Sequence, residues 1–129
     1  MVKRAIMVLV IAILLFALAI VECFVVNDFI VKVDSDVGAL IPLYEENKND
    51  ITFLTDKATA IEDTWDKNEQ LLCLMFNHKD IGMLTDTMTR LVEYTKQNNY
   101  DDAIVELKIL KEYTEKNHTI MGCNIHNIL

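Results

Sequence analysis

From residue 26 onward the apolar side chains recur in steps of three and four, the spacing that lines up one face of an α-helix. The first such stripe is Val26, Ile30, Val33, Val37, Leu40 and Tyr44, a four-three alternation that suits helices wound against one another. The β-branched run at 25–33 lacks the period-two alternation of a strand. Pro42 is expected to kink or end this helix, and the polar residues 45–50 to form a loop. A second stripe, Ile51, Leu54, Ala58, Ile61, Trp65 and Leu72, follows Asn49 and Asp50, both good N-cap residues.

Between residues 65 and 81 the pattern becomes apolar on two faces. Trp65, Leu72, Phe76 and Met83 form one stripe, and Leu71, Leu74, His78 and Ile81 a second. A helix with two stripes needs neighbours on both sides, so this segment reads as the centre of a bundle. Whether 50–98 is one bent helix or two stays open at this level, because Gly82 inside a helix costs only about 1 kcal/mol relative to alanine. Ile81, Leu84, Met88 and Leu91, widened by Val92 and Tyr94, form the next buried face. Residues 97–102 are the clearest turn in the chain and end in acidic N-cap candidates. The last helix is expected to run to about Lys116 with Ala103, Leu107, Leu110 and Tyr113 inward. A loop from Asn117 would then bring Ile125, Ile128 and Leu129 back onto the bundle.

The N-terminal block has a different character. Lys3 and Arg4 precede an unbroken apolar run at 5–21, which Cys23, Phe24, Val25 and Val26 extend past the single acidic Glu22. About 20 apolar residues span a bilayer. The positive flank before the run places the N-terminus in the cytoplasm and the rest of the chain outside the cell. Ala17, Leu18 and Ala19 match the small-x-small pattern of a cleaved signal peptide. The apolar run continues through that site without a polar region, however, which favours an uncleaved anchor. Glutamate at position 22 is wrong for a lipoprotein signal at Cys23 and reads as an interfacial residue. The fold class expected is therefore all-α, an N-terminal transmembrane helix followed by a small antiparallel bundle of three to four helices. The divisions are an anchor at 1–26, a juxtamembrane helix at 27–46 and an extracytoplasmic bundle at 47–129.

One proline and three glycines, with no repeat or low-complexity tract, agree with continuous helices. Residues 27–129 carry 19 acidic and 10 basic side chains, a balance of −9 that repels nucleic acid and anionic headgroups. Cys23, Cys73 and Cys123 form neither a disulfide framework nor a CxxC site. Cys73 on a buried stripe suits a small hydrophobe, with a Cys73–Cys123 bridge as the alternative in an oxidising compartment.

Chemistry is sparse. The three glycines are isolated and Ser35 is the sole serine, so neither a phosphate loop nor a nucleophile with its base is legible. His118, Cys123 and His126 supply three metal-ligand types within nine residues, but no fourth ligand is fixed and the spacing matches no zinc class. Met75, Met83, Met88 and Met121 fall at helical spacing and suit gap-filling better than copper or haem. His78, between Leu74 and Ile81, is expected as a neutral core histidine with a partner on a neighbouring helix, or else as a pH-responsive group. Trp65 is expected as the largest core anchor. No cofactor is implied.

The order Trp65, then His78, Lys79, Asp80 and Ile81, then Arg90, Leu91 and Tyr94, then Asp101, Ala103, Leu107 and Lys108, with a late Asn-Ile pair, resembles the small bacterial membrane-anchored family known as domain of unknown function 4363. The resemblance covers nearly the whole chain, anchor included. It departs from the family pattern in Asp80, where glutamate is usual, and in having no tryptophan upstream of Trp65. The Asn-Ile pair is either Asn124 with Ile125 or Asn127 with Ile128. The resemblance implies a helical fold and a bacterial membrane location and brings no reaction with it.

Together these features point to a non-enzymatic module that sits in the bilayer through residues 5–26 and serves another membrane or envelope protein, or a second copy of itself. The stripe from Val26 to Tyr44 is the expected contact surface. The competing expectation is an extracytoplasmic ligand or pH sensor built on a four-helix bundle, with His78 responding.

Overall fold

A computed structural model describes residues 1–121, with side chains through Lys116. The chain forms four helices: α1 (Val2–Glu46), α2 (Ile51–Met75), α3 (His78–Lys96) and α4 (Tyr100–Met121), and no strand occurs among the described residues. Each helix packs on the next and α4 closes against α1, so α1 faces α3, and α2 faces α4, across the diagonals of an up-down-up-down bundle.

At 45 residues, α1 is about 68 Å long, more than twice the thickness of a bilayer core. Its first half, including Ile6, Leu14 and Phe16, is exposed, apart from the half-buried Cys23. Its second half is a wall of the bundle. Pro42 does not end the helix, which runs on to Glu46. The proline ring faces solvent, so the backbone bond it removes lies on the side where water can replace it.

Burial along the second half of α1 corrects one expectation. Val26, Ile30, Val33, Val37, Leu40 and Tyr44 are each 3% exposed or less, buried by the chain's own helices. The stripe read as a surface for another chain is core, and residues 27–46 belong to the bundle rather than to a separate juxtamembrane segment. The periodicity located the buried face correctly; what covers it is intramolecular.

Asp50 caps α2, its carboxylate accepting from the Phe53 N–H at 3.1 Å. Ile51 is half-buried, while Leu54, Ala58, Ile61, Trp65 and Leu72 are buried as their spacing predicts. The helix ends at Met75 because Phe76 is extended and Asn77 starts a new helix, its carboxamide oxygen accepting from the Lys79 N–H at 3.0 Å. The segment 50–98 is thus two helices, and the break resets the helical phase. Neither stripe drawn through it survives whole. Met83 of the first is 39% exposed, and of the second Leu74 is 84% exposed and His78, the first residue of α3, faces solvent, while Ile81 is buried.

Ile81, Leu84, Met88, Leu91 and Val92 form the buried face of α3. Asn98 closes that helix with φ of 57°, a left-handed conformation that asparagine tolerates. Asn99, rather than one of the acidic residues, stands before α4, its carboxamide oxygen accepting from the Asp102 N–H in the first turn at 3.4 Å. Ala103, Leu107 and Leu110 point inward, Tyr113 is half-buried, and the helix runs past Lys116 to Met121 instead of giving way to a loop at Asn117. Ile125, Ile128 and Leu129 lie outside the described residues.

Candidate functional site

Three buried threonines, invisible to an apolar count, carry much of the polar organisation inside the bundle: Thr87, Thr95 and Thr114. Thr87 donates to Met83 O and Thr95 to Leu91 O, each at 2.7 Å and each four residues back in its own helix. With its proton so used, Thr95 Oγ1 accepts from the Tyr44 hydroxyl at 2.6 Å. This bond crosses the α1–α3 diagonal. Burial holds the Tyr44 phenol above its ordinary pKa, only partly offset by the hydrogen bond to Thr95, so it remains a protonated donor.

The α1–α4 seam holds a second cluster. Lys111 Nζ lies 2.9 Å from Asp34 Oδ1 and 3.2 Å from Glu115 Oε1, and the Thr114 hydroxyl donates to Asp34 Oδ1 at 2.7 Å. Burial works to lower the Lys111 pKa, but the hydrogen bonds to Asp34 and Glu115 outweigh it and raise the group overall. Lys111 lies along Gly38, where a Cβ would meet its Cε at 3.4 Å, an ordinary contact distance. On the α2–α3 seam, Trp65 is fully buried, its ring 6.1 Å from that of Phe29. Its Nε1–H donates to Thr85 Oγ1 at 2.8 Å. Thr85 in turn has Glu69 Oε1 at 3.0 Å and Ile81 O at 3.1 Å as acceptors for its single proton. Arg90 on α3 pairs with Glu106 on α4 at 3.0 Å.

Chemically these groups join helices; they do not converge on a cavity. The void beside Tyr44, Leu54 and Thr95 is about 10 Å³, the room of one water at most. A wider, open groove of about 280 Å³ runs between α1 and α2, bordered by Asp36, Ala39, Leu43, Lys57, Ala60 and Thr64. Glu62 on α2 sits in surroundings that disfavour its charge. Burial and the neighbouring Asp66, Asp63 and Glu93 raise its pKa against the opposing pull of Lys96, and its Oε2 is buried without a hydrogen bond.

The residues singled out by pattern are scattered through this architecture. Trp65, Ile81, Leu91 and Ala103 are core, one or more per helix of α2, α3 and α4, whereas His78 and Asp80 are exposed in the first turn of α3. They are not brought together as a site. Met88 is buried and Met75 partly so, but the exposed Met83 is no gap-filler. Among the described residues no three histidine, cysteine or acidic side chains are placed to hold a metal ion. The weak metal candidates Cys123 and His126 lie outside the described residues, as does the side chain of His118. Cys73 is a free, half-buried thiol, so it forms no bridge to Cys123. Cys23 is disulfide-bonded, which no spacing argument had indicated.

Neither the curated proteins nor the solved structures contain a match to this chain. A family model does match, over residues 39–128, from the last turns of α1 through α2, α3 and α4 into the tail; it leaves out the anchor that the sequence resemblance had included. Trp65, His78, Asp80, Ile81, Leu91 and Ala103 all fall inside the matched segment, and the chain belongs to the family described as Domain of unknown function (DUF4363).

Proposed function

We propose that this protein is a single-span bacterial membrane protein whose acidic helical bundle stands outside the cell as a non-enzymatic accessory to another membrane or envelope protein. The observation that carries the reading is α1 itself: one uninterrupted helix whose first half is exposed, apolar and long enough to cross a bilayer, and whose second half is a wall of the core. A span joined to a bundle in this way fixes the height and orientation of the bundle above the membrane, as a spacer or docking module requires.

Two further features support the orientation. Lys3 and Arg4 precede the apolar run, as cytoplasmic flanks do. The disulfide at Cys23, at the opposite end of the run, suits an oxidising compartment on that side. With the stripe from Val26 to Tyr44 used internally, the surfaces left for a partner are the apolar half of α1 within the bilayer and the acidic outer faces of the bundle.

The test is mild crosslinking of the full-length protein in its own membranes, followed by purification and identification of partners by mass. One membrane or envelope protein in stoichiometric amount supports the accessory role. Self-products alone replace it with a homo-oligomer. In parallel, Thr52→Cys, exposed at the far end of the bundle, should react with a membrane-impermeant maleimide on intact cells; labelling only after lysis reverses the topology.

A further inference from the structure

The two ends of the bundle differ in chemistry. At the end where α1 finishes, the connections are polar: residues 47–50 and 97–99 contain only asparagine, lysine, aspartate and glutamine. At the opposite end, toward the apolar half of α1, Leu74 in the last turn of α2 is 84% exposed and Met83 in the second turn of α3 39%, with Leu71, Met75 and Phe76 half-buried and Asn77, His78, Lys79 and Asp80 exposed between the helices. Apolar side chains left exposed at one end of a bundle call for a covering surface.

The helix register identifies that surface. Phe29 of α1 packs against Trp65 of α2, and the two helices run in opposite directions. Met75 lies ten residues beyond Trp65, and ten residues back from Phe29 is Ala19, inside the apolar run. At equal rise per residue, the α2–α3 turn descends to the level of residues 19–23. By the same reckoning α4 stops higher. Thr114 meets Asp34, and the seven residues from Thr114 to Met121 bring α4 down only to the level of Asn27. Among the described residues the α2–α3 hairpin therefore comes closest to the outer edge of the span, and it carries Leu74 and the half-buried Phe76 there beside the exposed polar tip at 77–80.

Resting on the reading of α1 as a membrane span, we propose that the α2–α3 turn is a second membrane contact, with Leu74, Phe76 and Met83 seated in the outer leaflet of the bilayer that α1 crosses. The contact is apolar, as suits a bundle whose net charge disfavours anionic headgroups. It tethers the hairpin opposite α1 and fixes the bundle's tilt and rotation as well as its height.

The experiment uses the full chain with Cys73→Ser and the disulfide at Cys23 intact, reconstituted in phosphatidylcholine vesicles. An environment-sensitive fluorophore is placed on Leu74→Cys, on Leu14→Cys in the middle of the apolar run, or on Thr52→Cys at the far end. Each position is exposed, so the substitutions leave the core untouched. Leu74 is expected to show blue-shifted emission, to lose most of it to lipids spin-labelled near the headgroup, and to resist aqueous iodide. Leu14 should be quenched by lipids spin-labelled deep in the acyl chains, and Thr52 only by iodide. Quenching at Leu14 with an iodide-accessible Leu74 overturns the proposal and leaves the span standing. A Leu74 probe shielded from both quenchers means protein covers the turn, which also overturns it. Loss of lipid quenching at Leu14 removes the span and this inference together.

Discussion

The bond between Tyr44 and Thr95 offers a sharp test of how the bundle's diagonal is held. Because Thr95 gives its proton to Leu91 O, it can only accept from Tyr44, and the two substitutions are not equivalent. Tyr44→Phe removes the donor but leaves the threonine proton satisfied, so it should cost about 1 kcal/mol, the net worth of an ordinary hydrogen bond. Thr95→Val preserves shape but strands a buried phenolic hydroxyl, a loss of about 1–3 kcal/mol. In the double variant no polar group is stranded, so its cost should not exceed that of Thr95→Val alone. The expected coupling is therefore about 1 kcal/mol in favour of the pair. Thermal melts of the full chain in detergent, followed by circular dichroism, resolve this, since about 1 kcal/mol shifts Tm by about 4–8 °C in a domain of this size. Additive costs would refute the bond as a coupling between α1 and α3.

Two other substitutions test the burial of α1 and the charge around α2. Val37→Asp places a carboxylate at a fully buried position, at a cost of several kcal/mol, and should unfold the bundle, read as loss of the cooperative melt and rapid proteolysis. An intact bundle that merely loses self-association would restore the stripe as an interface between chains. Glu62→Gln should stabilise the bundle at pH 7 by on the order of 0.5 kcal/mol, read as a higher Tm, with the advantage vanishing near pH 4. The folded-state pKa of Glu62 is raised, so the native state binds the proton more tightly, and stability falls as pH rises through that interval. A gap between parent and variant that is the same at both pH values would assign the effect to packing instead.

Spacing and residue type were enough to find the helical class, the buried faces of α1, α3 and α4, Asp50 as one of two cap candidates, a turn beginning at Gln97, though drawn three residues too long, and the apolar run long enough to span a membrane. These are local properties: spacing sets which side chains share a face, and a cap acts within one turn. What covers each face was beyond their reach. The stripe from Val26 to Tyr44 has the same four-three spacing whether its neighbour is another chain or α2 and α4 of its own, and only the folded path of the chain decides between them.

The same limit explains the histidine. Steps of three and four carry a stripe from Leu74 to Ile81 only if the helix is unbroken, and an extended Phe76 with Asn77 as a new cap moves Leu74 and His78 to the surface. Threonines 87, 95 and 114 escaped notice because their hydroxyls are satisfied by carbonyls of their own helices, or by Asp34, bonds that no hydropathy pattern records. The depth of the α2–α3 turn depends on the register of two helices set by one ring contact between Phe29 and Trp65, 36 residues apart in sequence. Local spacing determined the elements of this protein. Their pairing, and with it which apolar surfaces remained exposed, was decided by tertiary packing, because burial is a property of neighbours and neighbours here come from distant parts of the chain.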